Sequence, residues 1–205
     1  MADSPLSALG YEQAATVAVV LAGLDVEFRT IWSSDLSRAR TTAAVIAKAL
    51  NIPDVLVDPN LREAHAGEWQ GLTHAEIRRD WPGYLEAQRR PPDFELYESV
   101  VSRAIDALTT IAMHPSSGSG NVIVVTHSGL IRSLLRHIDG TDPRVANLGG
   151  AWIHVVVAAN GVVEMTVIET FDPTAFNPTI DALMGTTSGS ESVDVLGEEP
   201  GAAQI

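Results

Sequence analysis

Two patterns of hydrophobic residues alternate along residues 3–170 of this chain, one typical of strands and the other of helices. Short apolar runs rich in β-branched residues, such as Val122 to Val125, are typical of buried strands. Between these runs, apolar residues recur three or four positions apart, which is the period of an amphipathic helix. The pattern predicts strands over residues 28–32, 55–57, 121–126, 151–158 and 162–168, and helices over residues 7–23, 36–50, 73–80, 95–113 and 129–138.

This order of elements predicts one α/β domain and a tail. Strands that alternate with helices favour a mostly parallel sheet, and Asn160-Gly161 between the last two strands is a strong signal for an antiparallel hairpin. After residue 170 the periodicity fades, and residues 185–205 are rich in Gly, Ser, Thr and Glu. Such a composition buries too little apolar surface to fold. We therefore expect a domain over residues 1–170 and an acidic, largely disordered tail over residues 171–205.

The distribution of charge limits the kinds of molecule that this protein is expected to bind. The chain has 13 Lys+Arg and 26 Asp+Glu, a formal net charge of −13, and residues 151–205 hold eight of the acidic residues but no Lys or Arg. This balance disfavours nucleic acid and anionic membranes as partners. It still allows a small anionic substrate, because a local pocket of arginines acts within a Debye length of about 8 Å.

Composition also argues against several kinds of site. The chain has no cysteine, which removes disulfides, thiolate zinc sites and thiol nucleophiles. His65 and His74 lack metal-site spacing with an acidic partner, so we expect neither a metal nor another cofactor. No apolar stretch reaches the ~18 residues of a membrane helix, and the first residues do not resemble a secretion signal. We expect a cytoplasmic protein without a membrane partner.

The run from Val122 to Arg132 contains the first candidate for chemistry. Its strand ends at Thr126-His127, and Gly129 allows a tight turn into the next helix. His127 is thus expected at the carboxyl edge of the sheet, where α/β proteins bind ligands, and beside helix N–H groups that favour an anion. The alternative at this point is a histidine that only caps a loop.

Two further segments, together with this run, resemble a known family. They are Ser34-Asp-Leu-Ser-Arg-Ala-Arg-Thr-Thr-Ala43 and Leu61-Arg-Glu-Ala-His-Ala-Gly-Glu-Trp-Gln-Gly71. In order and spacing these motifs, followed by a strand ending in Thr126-His-Ser-Gly129, resemble the histidine phosphatase superfamily, also called phosphoglycerate mutase-like. The resemblance covers residues 3–170. It implies a three-layer sandwich with a mostly parallel central sheet and helices on both faces.

The resemblance implies a role for each of three side chains. Arg38 matches the family's arginine that holds the phosphoryl group, a task that suits a guanidinium. Glu63 matches the acid that protonates the leaving oxygen, and His127 matches the histidine that donates to a phosphoryl oxygen. Without the resemblance, Arg38 would be a solvated helix residue and Glu63 a surface partner of Arg62.

The family's first strand, which carries Arg-His-Gly and the nucleophilic histidine, has no counterpart in these 205 residues. In the family this strand lies inside the sheet, so its absence would leave two neighbouring strands with unpaired backbone groups, at ~1–3 kcal/mol for each buried group. We therefore expect the natural protein to start upstream of Met1, and the alternative is a variant with a rearranged core. As written, the chain is expected to be inactive because it lacks the nucleophile.

The leading hypothesis is hydrolysis of a phosphomonoester through a phosphohistidine, without a metal. Its alternative is a non-catalytic phosphoester-binding or interaction protein of the same fold. A phosphoglycerate mutase is a weaker alternative, because mutase relatives carry Arg-His-Tyr-Gly after the glutamate, whereas Glu63 is followed by Ala64. A serine hydrolase using Ser128 is also weaker, since Thr126-His-Ser-Gly-Leu130 is not Gly-x-Ser-x-Gly. The expected partner is a small phosphorylated substrate, and a homodimer is compatible with each hypothesis.

Overall fold

Helices and strands alternate along the chain up to residue 138, except for two consecutive helices between the second and third strands, and a hairpin follows. The computed structural model describes residues 3–118 and 120–172, together with the backbone of residues 202–204. Two short segments, Pro59–Leu61 and Gly67–Trp69, are 3₁₀ turns. The elements are α1 (Ala8–Ala22), β1 (Phe28–Ser33), α2 (Ser37–Ala49), β2 (Val55–Val57), α3 (His74–Asp80), α4 (Tyr97–Met113), β3 (Asn121–Val125), α5 (Ser128–Ile138), β4 (Gly150–Val157), β5 (Val163–Phe171) and β6 (Ala202–Gln204).

Local signals in the sequence explain where several elements begin and end. Ser7 precedes α1, and its Oγ accepts a hydrogen bond from the backbone N–H of Gly10 at 3.1 Å. Thr73 and Glu76 form a capping box at the start of α3, which satisfies two backbone donors that a helix start leaves without partners. The predicted turn at Gly161, where φ is +82°, closes the β4–β5 hairpin. Most predicted boundaries lie within two residues of the observed ones.

Alternate residues of the central strands point to opposite faces of the sheet. Ile31 of β1 and Ile123 of β3 pack in one hydrophobic cluster with residues of α1 and α2. Trp32 and Val122, the neighbours of those residues along the chain, pack in a second cluster with α4 and α5. The sheet therefore lies between two pairs of helices, which confirms the expected α/β three-layer sandwich.

The sheet has the strand order β2-β1-β3-β6-β4-β5. β1 pairs in parallel with both β2 and β3, and β3 pairs in parallel with β6. β4 and β5 form the antiparallel hairpin, and β4 also pairs antiparallel with β6. Because β1, β2 and β3 are parallel, their C-terminal ends reach the same edge of the sheet, which we call the carboxyl edge.

β3 and β4 are separated by a space that β6 fills only in part. β6 pairs with β3 at a single position, Asn121 with Gln204, and with β4 over His154–Val156. Nearer the carboxyl edge, Val122–Val125 have no strand partner on this side among the described residues. They line a cavity of about 500 Å³, which we call the β3–β4 slot.

The predicted tail over residues 171–205 lies mostly outside the described residues, so its disorder stays a prediction. Within that range, β5 continues to Phe171, and Ala202–Gln204 form β6. In the described part of the chain, no helix combines the length and the apolar character that a membrane-crossing helix needs.

Candidate active site

Arg38, Glu63 and His127 follow three different strands and meet at the carboxyl edge. Arg38 is the second residue of α2, which follows β1. Glu63 follows β2 and the turn Pro59–Leu61, and His127 is the N-cap of α5, which follows β3. All three side chains line the β3–β4 slot. The structure thus brings together three residues that are far apart in sequence, in the place where the resemblance puts a phosphoryl group.

His127 is buried and has a hydroxyl as its partner. The residue is 7% exposed, and its ring Nε2 lies 3.0 Å from Oγ of the fully buried Ser34. Burial, followed by the positive charges of Arg38 and Arg103, lowers the pKa of His127 from 6.5 to about 4, against an opposing effect of Asp35. The imidazole of His127 is therefore neutral at neutral pH.

The carboxylate of Glu63 is held by two backbone N–H groups. Ala64 N donates to Oε1 at 2.9 Å, and Gly129 N donates to Oε2 at 3.1 Å. A Cβ on Gly129 would lie 3.0 Å from Cδ of Glu63 and closer still to Oε1. Gly129 lies inside α5. The expected reason for this glycine, a tight turn, is therefore replaced by another: the close approach of the Glu63 carboxylate.

Arg38 brings positive charge to the slot from the first turn of α2. Its side chain is half-buried, and its charge contributes to the low pKa of His127, so the guanidinium lies within electrostatic reach of the imidazole. The preceding residue, Ser37, donates to the carboxylate of Asp3 from its backbone N at 2.7 Å and its Oγ at 2.9 Å. Asp3, a residue distant in sequence, thereby caps the helix that carries Arg38. Neighbouring Arg40 is exposed.

Arg103 of α4, for which no role was predicted, anchors the segment that carries Glu63. Its Nη1 donates to the carbonyl oxygens of Asn60 and Arg62 at 2.6 and 2.7 Å, and its Nη2 donates to the carbonyl oxygen of Glu63 at 3.1 Å. The same guanidinium forms an ion pair with Glu95, with 2.7 Å between Nε and Oε1. One side chain thus ties three backbone carbonyl groups of residues 60–63 to α4 and limits the motion of Glu63.

Two features of the sequence could have pointed to Ser34 and Arg103 as functional residues. Ser34 is the first residue of the Ser-x-Leu-x-Arg motif. Arg103 interrupts the apolar side of α4, three residues after Val100 and four before Ala107, both of which are buried. A charged residue next to a buried helix face indicates a partner on the packed side. The identity of that partner depends on tertiary contacts.

Other side chains considered from the sequence have different surroundings. The ring Nδ1 of His65 accepts a hydrogen bond from Gly67 N at 3.0 Å, and Trp69 packs edge-on against the rings of Tyr84 and Phe94. Ser128 is exposed at the first position of α5, and the adjacent His127 bonds Ser34 instead, which disfavours a Ser128 nucleophile. Within the residues that the structure describes, no group of three or more His, Cys, Asp or Glu side chains is arranged to hold a metal ion.

The arrangement suits the binding of an anion beside a carboxyl group. Arg38 and His127 offer donors to phosphoryl oxygens, and Glu63 stands at the side of the same pocket. Of the described residues that line the slot, His127 is the one histidine. The described lining of the slot therefore offers donors that suit an anion, and His127 is its one imidazole.

Comparison with known proteins places these residues in a family context. The metal-independent phosphoserine phosphatase of Arabidopsis thaliana is 34% identical over 143 residues, which cover 66% of this chain and 59% of that protein. The glucosyl-3-phosphoglycerate phosphatase of Mycobacterium tuberculosis (strain ATCC 25618 / H37Rv) is 38% identical over 143 residues, which cover 64% of this chain and 63% of that protein. The matched stretch thus spans less than two thirds of the length of either relative.

Solved structures of similar fold and the match to a family profile point to the same family as these relatives. The structure of a mycobacterial glucosyl-3-phosphoglycerate phosphatase complexed with VO3 matches with a TM-score of 0.66 and 30% identity, over 81% of this chain and 86% of that chain. The sequence profile of the histidine phosphatase superfamily (branch 1) matches residues 1–160. The chain therefore belongs to the histidine phosphatase superfamily, branch 1.

Proposed function

We propose that the protein hydrolyses phosphomonoesters through a phosphohistidine, without a metal. The observation that carries this proposal is the meeting of Arg38, Glu63 and His127 in one slot at the carboxyl edge. The names of the relatives support hydrolysis, since both are phosphatases and one is described as metal-independent. The partner that this pocket suits is a small phosphorylated molecule.

Arg38 and His127 stabilise the phosphoryl group during its transfer. Negative charge on the equatorial oxygens of that group needs donors held in place beforehand. The guanidinium of Arg38 can bind two of these oxygens at once. His127 is neutral at neutral pH, but a bound phosphate raises the pKa of the imidazole because an opposite charge favours the protonated ring. His127 therefore takes up a proton as the substrate binds and donates it in a hydrogen bond.

Glu63 acts on the leaving oxygen. An alcohol is a poor leaving group unless a positioned acid protonates it. The two N–H groups of Ala64 and Gly129 fix the orientation of the Glu63 carboxyl group, and Arg103 fixes its backbone. In its protonated form Glu63 gives a proton to the departing alcohol, and in its ionised form it then activates a water molecule that attacks the phosphohistidine.

We place the nucleophile on a strand that fills the β3–β4 slot. The backbone groups of Val122–Val125, which have no strand partner on this side among the described residues, favour a partner strand, and β6, which occupies part of this position, runs parallel to β3. Such a strand would end at the carboxyl edge, beside Arg38 and His127, where a histidine could attack phosphorus. Asp3 already lies at this edge through its bonds to Ser37, so a strand leaving the slot can continue directly into the described chain.

The test compares the 205-residue chain with a protein extended by its in-frame upstream coding sequence. We expect negligible hydrolysis of p-nitrophenyl phosphate by the chain as written. We expect metal-independent turnover and an acid-labile phosphoprotein from an extension that supplies an Arg-His-Gly strand, and loss of both when its histidine is replaced by alanine. Turnover by the 205-residue chain that survives chelation and purification would show that the nucleophile lies elsewhere.

A second candidate is a non-catalytic phosphoester-binding protein of this fold. It is favoured by one observation: His127, the one histidine among the described residues of the slot, is already bonded to Ser34. An extended protein that stays inert, while inorganic phosphate still raises its melting temperature, would support this candidate over the hydrolase.

A further inference from the structure

The two helices that begin at the candidate site have no capping side chain of their own. The residue before the first turn of α2 is Leu36, and the one before α5 is His127, and neither side chain caps its helix. By contrast, α1 and α3, which carry no residue of the site, are capped by the side chains of Ser7 and Thr73. Because a helix start leaves backbone N–H groups without partners, the first turns of α2 and α5 need acceptors from elsewhere.

Carboxylates from distant parts of the chain supply these acceptors. Glu63 accepts the N–H of Gly129 in the first turn of α5. Asp3 accepts the backbone N–H of Ser37, the first residue of α2, at 2.7 Å, and the hydroxyl of the same residue at 2.9 Å. A negative charge at this end of a helix also interacts favourably with the helix dipole. Both helix starts are therefore fixed by tertiary contacts as well as by their own sequence.

The carboxylate of Asp3 lies beside the arginine of the candidate site. Arg38 directly follows Ser37 in the first turn of α2. The hydrogen bond from the backbone of Ser37, and then that from its hydroxyl, lowers the pKa of Asp3, and the positive charge of Arg38 adds to this effect. Asp3 is thus ionised at neutral pH and lies within electrostatic reach of Arg38. Its contact with Ser37 holds the backbone from which the side chain of Arg38 extends.

A second carboxylate near this helix start is bound to another segment. Asp35 lies two residues before Ser37, and Arg62 donates to it with 2.7 Å between Nε and Oδ1, as part of an ion pair. The charge of Asp35 raises the pKa of Asp3, so the two carboxylates repel each other. Asp35 is therefore poorly placed to take over the contact that Asp3 makes with α2.

On the basis of the proposed function, we propose that Asp3 is a positioning residue of the phosphate site. By holding the first turn of α2, it keeps the guanidinium of Arg38 where it can bind the phosphoryl group. A helix end whose N–H groups lack partners opens readily, and a guanidinium on an open turn loses its fixed direction. Asp3 thereby connects the segment that precedes α1 with the helix that binds phosphate.

The test measures phosphate binding by the 205-residue chain. An NMR titration with inorganic phosphate gives the dissociation constant, and the amide signals of Ser37 and Arg38 report the order of the first turn of α2. Asp3→Ala should weaken phosphate binding about fivefold, the scale of a lost helix cap, and should shift both amide signals. Asp3→Asn should bind phosphate within about twofold of the unchanged chain, because asparagine caps a helix as well as aspartate does.

Two further variants separate positioning from stability. Thr73→Ala removes the cap of α3, a helix that carries no residue of the site. It should lower the melting temperature about as much as Asp3→Ala does and leave phosphate binding unchanged. In an Arg38→Gln background, Asp3→Ala should not weaken phosphate binding any further, because Asp3 acts through Arg38.

Each outcome bears on one proposal or on both. The role of Asp3 would be overturned if Asp3→Ala lowers only the melting temperature, if Asp3→Asn binds as weakly as Asp3→Ala, or if the loss persists in the Arg38→Gln background. Each of these results would leave the phosphatase proposal in place. A loss that depends on Arg38, with an extended protein that does not turn over substrate, would support the role of Asp3 and count against hydrolysis. If inorganic phosphate does not bind the unchanged chain, both proposals are wrong.

Discussion

His127 Nε2 lies 3.0 Å from Ser34 Oγ, and the two side chains are buried together at the carboxyl edge of the sheet. The same Oγ accepts a hydrogen bond from the backbone N–H of Leu36 at 3.3 Å. A hydroxyl group has one proton and two lone pairs, so Ser34 can both hold the loop before α2 and orient the imidazole. The orientation of the His127 ring thus depends on Ser34, which lies at the end of a different strand.

Ser34→Ala should loosen His127 and destabilise the fold. The change leaves the imidazole Nε2 and the N–H of Leu36 without this buried partner, which costs ~1–3 kcal/mol. Urea unfolding measures the free energy of unfolding, and the NMR signal of the His127 ring reports its order. Ser102→Ala, at an exposed position of α4, is the matched control. A Ser34→Ala protein as stable as this control, with an unchanged His127 signal, would contradict the role given to Ser34.

The low pKa of His127 predicts that stability falls in mild acid. The folded state holds this pKa at about 4, whereas 6.5 is the ordinary value expected for the unfolded chain. Between pH 6.5 and pH 4 the imidazole is protonated in the unfolded state but neutral in the folded state. The free energy of unfolding is therefore highest above pH 6.5 and decreases as the pH falls towards 4. The loss should be on the order of 2 kcal/mol.

The comparison with His127→Gln isolates this effect from other titrating groups. The variant has no ionisable side chain at this position, so its free energy of unfolding should depend less steeply on pH across the same range. Parallel curves for the two proteins would show that His127 is not held neutral by the fold. Bound phosphate should reduce the slope of the unchanged protein, because it raises the pKa of the imidazole.

Arg103→Met should destabilise the protein through the loop that carries Glu63. The change removes three hydrogen bonds to backbone carbonyls and leaves Glu95 without its ion-pair partner in a mostly buried site. Breaking one side of such a pair costs about 3 kcal/mol. Urea unfolding of the single variant and of the Arg103→Met, Glu95→Met double variant tests this, since the double variant avoids the unpaired carboxylate. A double variant as unstable as the single one would place the whole loss in the carbonyl contacts.

Features of the site that depend on neighbouring residues in the sequence can be predicted from it, whereas contacts between residues distant in sequence cannot. Val122–Val125 predict a strand and Thr73 predicts a helix start because neighbouring residues decide both. The motif that contains Arg38 predicts its place at the carboxyl edge because a helix must follow β1 there. Arg103 binds carbonyl groups some 40 residues earlier. No periodicity along α4 identifies those carbonyls, because only the tertiary fold brings them near.

Gly129→Ala should displace Glu63 with little effect on the helix. Alanine is a better helix former than glycine by about 1 kcal/mol, yet its Cβ would overlap the Glu63 carboxylate. The hydrogen bond from residue 129 to Oε2 should therefore be lost, and the free energy of unfolding should fall rather than rise. Gly23→Ala, whose nearest contact would be an ordinary 3.5 Å, is the control. A Gly129→Ala protein more stable than the original, with Glu63 in place in its crystal structure, would contradict this account.

The last prediction concerns catalysis in an extended protein that carries the Arg-His-Gly strand. His127→Ala should remove ~2–4 kcal/mol of transition-state stabilisation, the scale of one preorganised donor. Glu63→Gln should slow an alkyl phosphate by about 10²–10⁴-fold, the usual contribution of a general acid. The same variant should hardly affect p-nitrophenyl phosphate, because p-nitrophenolate leaves without a proton.

Rates of both substrates on both variants distinguish the two roles. His127 contacts the phosphoryl group, so its loss should slow the two substrates alike. Glu63 faces the leaving oxygen, so its loss should depend on the leaving group. Glu68→Gln, at an exposed position of the same motif, is the matched control and should leave both rates unchanged. Equal losses on the two substrates for Glu63→Gln would exclude a proton transfer from Glu63 and leave it only a positioning role.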